Sequence, residues 1–341
     1  MRYDVTIGIP VYMSEAYLHK TLESALSQTY SSIEFLIIDD GSSDASVKIL
    51  MEMKDTHPRG SDIRVITHSE NMGVSATRNQ IIDEAQGEFL YFMDSDDLIS
   101  ENTIALLMQK ICEYDAEIAF GSYERIGLDG QRTIFQYPSL PLLGEDMLAS
   151  YAYRKYSGIQ ASACNYLLKT SLLRDNNLCF INSNYWEDLV FTFDLVTYVS
   201  RAVLLSDITY SYLCHDGSLS NYQERSMIQK SEILKNIETI NHLKVTSSLL
   251  YNKVYYPNRC KNIVMTDFYI ACNILKRGNN IVPPFSHQDI KLLMSHPATF
   301  RQICSFRQSR MSNMLLFFLG KMPSIACVMA IWCLGKLKKL V

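Results

Sequence analysis

The chain alternates between short, uniformly apolar runs and segments whose apolar residues recur at helical spacing. Val5 to Ile9 is a β-branched run stopped by Pro10, the pattern of a buried strand with a breaker at its end. From Glu15 to Ser27, Tyr17, Leu18, Leu22, Ala25 and Leu26 share one face, which predicts a helix capped by Ser14. The pattern then predicts a strand over Ile33–Ile38, a helix over Ser43–Met53 and a strand over Ile63–Thr67. A helix over Val74–Ala85, entered through Asn71-Met72-Gly73, and a strand over Glu88–Met93 follow. These strands are apolar throughout rather than alternating, so they predict an α/β fold: a parallel sheet covered by helices on both faces.

Beyond residue 100 the patterning predicts a helix over Asn102–Tyr114 and a strand over Ala116–Tyr123. A hairpin or loop over 127–145 is marked by Gly127, Gly130, Pro138, Pro141 and Gly144. A cluster Tyr185-Trp186-Glu187-Asp188 opens an apolar helix over Leu189–Val199. Ala202–Leu205 and Thr209–Cys214 read as two short strands, and helical patterns dominate from Arg225 onward. No internal repeat or low-complexity segment interrupts the chain.

Length and composition narrow the function classes. The 341 residues suffice for one large domain, or a domain with an appendage. The net charge of −4 gives no reason to expect nucleic acid as a partner. The nine cysteines are odd in number and form no C-x-x-C pair, so they are expected to be reduced thiols. Met1 leads straight into the first strand without a signal peptide, so the active part of the chain is expected in the cytoplasm.

The polar clusters stand where such sheets bind ligands, at the carboxyl ends of the strands: Pro10-Val11-Tyr12, Asp39-Asp40-Gly41-Ser42 and Asp94-Ser95-Asp96-Asp97. Carboxylates flanking Ser95 suit Mg²⁺ or Mn²⁺, which take oxygen ligands and complete their shells with phosphate and water. The same residues also suit a loop that caps the helix at Asn102. An acidic turn at Asp39-Asp40 can accept from a nucleobase or ribose, or can be a plain Asp-Gly turn. Arg78, a turn inside the helix after Gly73, can pair with a diphosphate, with an acidic neighbour, or with nothing on a surface face. Glu187 and Asp188 fit a helix N-terminus through the dipole alone, and Trp186 fits a core.

Taken in order, Pro10-Val11-Tyr12, Asp39-Asp40-Gly41-Ser42, Asn71-Met72-Gly73, Arg78-Asn79 and Asp94-Ser95-Asp96-Asp97 resemble the N-terminal half of family 2 glycosyltransferases. The resemblance resumes at Trp186-Glu187-Asp188 and Tyr210-Ser211-Tyr212, covering about the first 220 residues. It implies a GT-A fold: a Rossmann-like, mostly parallel central sheet with flanking helices over 1–220, followed by a helical region over 221–341. It also implies an inverting enzyme of the bacterial surface-polysaccharide type, taking a nucleotide-diphosphate sugar, UDP-sugar being the commonest donor. By the same resemblance Pro10, Tyr12, Asp40 and its neighbour Asp39 lie beside the nucleotide. Arg78, Asp94 and Ser95 lie near its ribose and diphosphate. Asp96, with Asp94, holds the divalent cation, Mn²⁺ or Mg²⁺. Of the Glu187–Asp188 pair, Asp188 is the expected general base, and Trp186 is a platform for an acceptor sugar. Leu213 stands where relatives carry Arg, so the loop Tyr212-Leu213-Cys214-His215-Asp216-Gly217-Ser218 departs from the pattern, and His215 is an additional candidate for the cation or diphosphate.

Residues 313–341 carry two apolar runs, Met314–Gly320 and Ile325–Gly335, broken by Lys321 and Pro323 and followed by Lys336, Lys338 and Lys339. Neither reaches the ~20 residues that span a bilayer. The pattern predicts a membrane-interfacial segment, or an amphipathic helix docked on the domain. The former suits a glycan acceptor carried on a lipid at the inner face of the cell membrane, an acceptor class the resemblance implies. Two other classes compete. A sugar nucleotidyltransferase needs a Gly-rich basic loop after the first strand, where this chain reads Pro10 to Glu15 with neither Gly nor a basic residue. A non-catalytic nucleotide-sugar-binding scaffold would have no use for both Asp96 and Asp188.

Overall fold

A computed structural model describes residues 3–154, 158–183, 186–215 and 227–341. Tyr185, the stretch 216–218 and the start of the helical region at Arg225, all singled out above, lie outside the described residues. The chain divides into two compact units, one of 1–148 with 161–218 and one of 149–160 with 219–341.

The first unit is built on a sheet of ten strands. They are β1 (Tyr3–Val11), β2 (Ile33–Asp39), β3 (Ile63–Thr67), β4 (Gly87–Phe92), β5 (Leu98–Ile99), β6 (Ile118–Ile126), β7 (Arg132–Phe135), β8 (Leu140–Leu143), β9 (Tyr166–Lys169) and β10 (Arg201–Leu213). The order is β3-β2-β1-β4-β9-β6-β10-β5, with β7 on β6 and β8 on β10. β3, β2, β1 and β4 run parallel. β9 enters antiparallel between β4 and β6. Its insertion makes the sheet mixed, and the sequence pattern did not reveal it.

The parallel strands are buried on both faces, as their apolar runs require: every residue of β2 is buried, and Ile7, Ile9 and Leu90 expose nothing. Each such aliphatic side chain contributes about 1.5–3 kcal/mol through removal from water. The helices α1 (Leu18–Leu26), α2 (Ser46–Thr56), α3 (Val74–Glu84) and α4 (Thr103–Tyr114) alternate with the strands. α3 lies so close to β1 that a Cβ on Gly8 would sit 2.3 Å from Ile81 Cγ2. α5 (Met147–Arg154), α6 (Thr170–Asp175) and α7 (Glu187–Leu195) follow.

Three local expectations change. α1 begins at Leu18, and Ser14 offers it no side-chain cap; its hydroxyl lies 2.7 Å from Ser95 Oγ instead. No side chain caps α4 at Asn102. The two short strands expected over 202–214 are one strand, β10, whose register on β6 shifts around Ile208. Those irregularities absorb the polar pair Ser206-Asp207, which the sequence pattern read as a break.

The second unit is helical. It holds α8 (Lys230–Ser247), α9 (Tyr256–Lys276), α10 (His287–Leu293), α11 (Phe300–Ser305), α12 (Arg310–Lys321) and α13 (Ser324–Leu337), with a two-residue parallel pair of 228–229 and 281–282. Its core includes Tyr256, Cys260, Ala298, Ile303 and Phe306. Among the described residues no helix is long and apolar enough to cross a membrane. All nine cysteines are free thiols.

Candidate active site

The carboxyl ends of β1, β2 and β4 face a set of carboxylates gathered around one arginine. α3 begins after Gly73, whose φ of 92° is open to glycine and strained for other residues. One turn further, Arg78 points inward, its side chain only 4% exposed. Its Nη2 donates to Asp94 Oδ1 at 2.8 Å, and its Nη1 to Glu187 Oε1 at 3.0 Å and to Asp188 Oδ1 at 2.5 Å. A surface position for Arg78 is thereby excluded; of the partners weighed from sequence, it has taken acidic neighbours. The sequence separations of 16, 109 and 110 residues are why no local pattern revealed the clamp.

Glu187 and Asp188 reach Arg78 from the first turn of α7. Trp186 stands before them as the N-cap in the left-handed region, with φ of 64°, a strained conformation for an aromatic residue. Burial pushes Asp188 up to about 7; Arg78 opposes the shift, while Glu187 and Asp94 add to it. Burial likewise raises Glu187 against the pull of Arg78. Burial works against the charge of Arg78, yet Asp188, Asp94 and Glu187 hold its pKa well above the ordinary value. The Asp188 side chain nonetheless keeps 24% of its surface open.

The four residues after β4 divide their work. Asp94 goes to Arg78. Ser95 reaches Ser14 through its hydroxyl and accepts from Thr21 Oγ1 through its carbonyl. Asp96 Oδ2 lies 2.7 Å from His215 Nε2, and the His215 ring stacks on Tyr17 at 4.3 Å. Asp97 turns inward and is fully buried, accepting from Tyr210 Oη at 2.6 Å and from the Leu213 amide at 2.8 Å. Burial, then Asp94 and Asp96, pushes Asp97 up to about 8, against two donated hydrogen bonds that favour its anion. Asp97 therefore fastens β10 beneath the loop, and the amide at Leu213 serves this purpose whatever the side chain.

The acidic turn after β2 is equally divided. Asp40 accepts from the Met72 and Gly73 amides at 2.8 Å each, and its Oδ1 lies 2.7 Å from His68 Nδ1. It holds the Asn71–Gly73 loop in place, a positioning role its sequence did not announce. Asp39 is fully buried; Oδ2 accepts from the Ser42 amide at 3.1 Å, while Oδ1 has no hydrogen-bond partner among the described residues. Pro10 is partly buried at the end of β1, and Tyr12 stands 50% exposed beyond it.

Five carboxylates thus converge with a single guanidinium. Asp96 and Asp97, which the clamp does not hold, both have raised pKa values from burial and from mutual repulsion. Among the described residues no group of three His, Cys, Asp or Glu side chains forms a metal cage. The excess of negative charge at Asp94 and Asp96 fits a hard divalent cation that draws the rest of its shell from a ligand's phosphates.

The family model described as Glycosyl transferase family 2 matches residues 6–167, which span β1 to β9 and the Asp94–Asp97 cluster. A crystal structure of S. aureus TarS 1–349 in complex with UDP-GlcNAc superposes with a TM-score of 0.66 at 17% identity, covering 93% of this chain and 90% of that one. The glycosyltransferase GlyA of Streptococcus pneumoniae is 41% identical over 120 residues, 35% of this chain but only 16% of that protein. The Escherichia coli protein WfaP, named UDP-Glc:alpha-D-GlcNAc-diphosphoundecaprenol beta-1,3-glucosyltransferase, is 27% identical over 250 residues, covering 72% of this chain and 92% of its own. The architecture is the GT-A fold. The chain belongs to the family 2 glycosyltransferases, with its family domain in residues 6–167.

Proposed function

We propose that the protein transfers a sugar, with inversion, from a nucleotide-diphosphate donor, UDP-sugar in particular, to a hydroxyl of a glycan or lipid-linked glycan. The observation that carries this reading is the Arg78 clamp, which fixes the partly exposed carboxylate of Asp188 beside Asp94 at the strand ends.

In an inverting displacement the acceptor oxygen attacks the anomeric carbon from the face opposite the leaving group. Asp188 takes the hydroxyl proton as that bond forms. Its raised pKa of about 7 makes it a better proton acceptor than an ordinary aspartate and leaves a useful fraction ionised near neutrality. Arg78 and Glu187 hold its geometry. Trp186, strained at the N-terminus of α7, offers a ring face to the acceptor sugar. Pro10, Tyr12, Asp39 and Asp40 line the nucleotide side; the unpartnered Oδ1 of Asp39 suits a base N–H, with Asp40 shaping the loop beside it. Asp94, Asp96 and His215 would hold Mn²⁺ or Mg²⁺. Bound there, the cation would stabilise charge on the departing nucleoside diphosphate. Ser95 keeps the two aspartates apart and anchored to Ser14. An acceptor borne on a lipid would keep the enzyme peripheral, on the cytoplasmic face of the cell membrane.

Calorimetric titration of UDP, GDP and CDP, each with and without Mn²⁺, tests the donor half. The expected result is tight, metal-dependent binding of UDP alone. Failure of every nucleotide to bind folded protein would overturn the reading.

A further inference from the structure

The helices at the C-terminal end present an apolar surface that transfer chemistry does not explain. On α12, Met311, Leu315 and Phe318 recur at helical spacing and are 67%, 69% and 51% exposed. On α13, Ile325, Met329 and Trp332 repeat the arrangement at 62%, 63% and 43%. The opposite sides are buried, through Asn313, Leu316 and Leu319 on α12 and Cys327, Val328 and Ile331 on α13. Each helix therefore already has its core-facing side, and the exposed stripe is a second apolar face. Such faces mark contact sites on soluble domains.

Charge decides what the faces meet. Residues 290–341 contain eight Lys and Arg and no Asp or Glu, in a chain of net charge −4. Two of the cations sit on aromatic rings of these helices, Lys321 Nζ 5.4 Å from the Phe317 ring and Lys336 Nζ 4.1 Å from the Trp332 ring. Aromatic and basic side chains intermingled around an apolar stripe fit the headgroup region of a membrane. The helices, of 12 and 14 residues, are about 18 and 21 Å long, short of a ~30 Å hydrocarbon core, so they would lie in the interface rather than cross it. A second copy of the chain is a poor occupant, since a twofold contact would bring two equally cationic surfaces together.

We propose that α12 and α13 form a docking surface for a bilayer carrying anionic headgroups. The proposal deepens the membrane placement given above and is independent of the transfer chemistry, so either can fail alone.

The test uses the full chain with vesicles of phosphatidylcholine, alone or mixed with phosphatidylglycerol. The protein should cosediment with the mixed vesicles, and less with the neutral ones. Tryptophan emission should shift to the blue on binding, Trp332 being one of two tryptophans. The variant Leu315→Ser/Phe318→Ser/Trp332→Ser should stay in the supernatant and keep its nucleotide binding, which reports that the fold and the site are intact. Lys336→Gln/Lys338→Gln/Lys339→Gln should lose about fivefold in partitioning per charge removed. Wild-type protein remaining in the supernatant with anionic vesicles would overturn the proposal. So would equal sedimentation of wild type and both variants, or a dimer in solution that the serine variant abolishes, which would assign the face to a second copy.

Discussion

Replacing Asp188 by Asn removes a negative charge and a proton acceptor while keeping the shape of the side chain. Arg78 loses its 2.5 Å partner but retains Glu187 at 3.0 Å and Asp94 at 2.8 Å, so the clamp should hold. The proposed roles therefore separate: donor binding should stay near the wild-type level while turnover falls. General base catalysis is worth about 10²–10⁴ in rate, or roughly 3–5 kcal/mol of barrier. The pH dependence sharpens the test. Only the anion accepts a proton, and burial raises the pKa of Asp188 to about 7. With donor and acceptor below saturation, kcat/KM of the wild type should climb tenfold per unit at acidic pH and level off above about 7. The Asn variant should lack that ascending limb. The assay is release of the nucleoside diphosphate from a donor at fixed acceptor, across pH, for both proteins. Near-normal turnover in the variant, or an unchanged acid limb, would refute the role of Asp188.

Asp96→Ala should abolish the metal-dependent part of nucleotide binding while leaving the fold intact, because Asp96 Oδ2 bonds only His215 among the printed distances of the cluster; equal UDP affinity with and without Mn²⁺ in both proteins would count against the cation site. Asp40→Ala should destabilise the first unit by roughly 2–5 kcal/mol in urea denaturation, since it removes two amide hydrogen bonds to a buried carboxylate and the His68 contact; an unchanged midpoint would show that the loop holds itself. In the second unit, Asp267→Ala leaves Lys244 without its 2.6 Å partner in the core and should cost about 3–5 kcal/mol, read as an earlier unfolding transition; a loss below 1 kcal/mol would mean that the Leu293 carbonyl and Ser295 suffice for the ammonium.

Much of the fold was legible because its strands are buried on both faces. β1, β2 and β4 read as apolar runs, and the polar residues that end them mark the ligand edge of the sheet. β9 was not legible: Tyr166-Leu167-Leu168-Lys169 is four residues long and passes directly into α6, so periodicity cannot separate it from a helix. At the site, the sequence located the carboxylates but not their division of labour. Asp39 and Asp40 are adjacent and chemically identical in the chain, as are Asp96 and Asp97. Which one turns inward depends on strand ends and amides contributed from far along the chain: Gly73 for Asp40, Tyr210 and Leu213 for Asp97. The Arg78 clamp joins three elements across more than a hundred residues, and only the folded chain brings them together.

The most direct test of the central claim is whether the protein releases UDP from a UDP-sugar in the presence of a glycan acceptor and Mn²⁺. The account predicts release that requires the acceptor, the cation and Asp188. Tight metal-dependent binding of UDP with no release from any UDP-sugar, or release undiminished in Asp188→Asn, would contradict it.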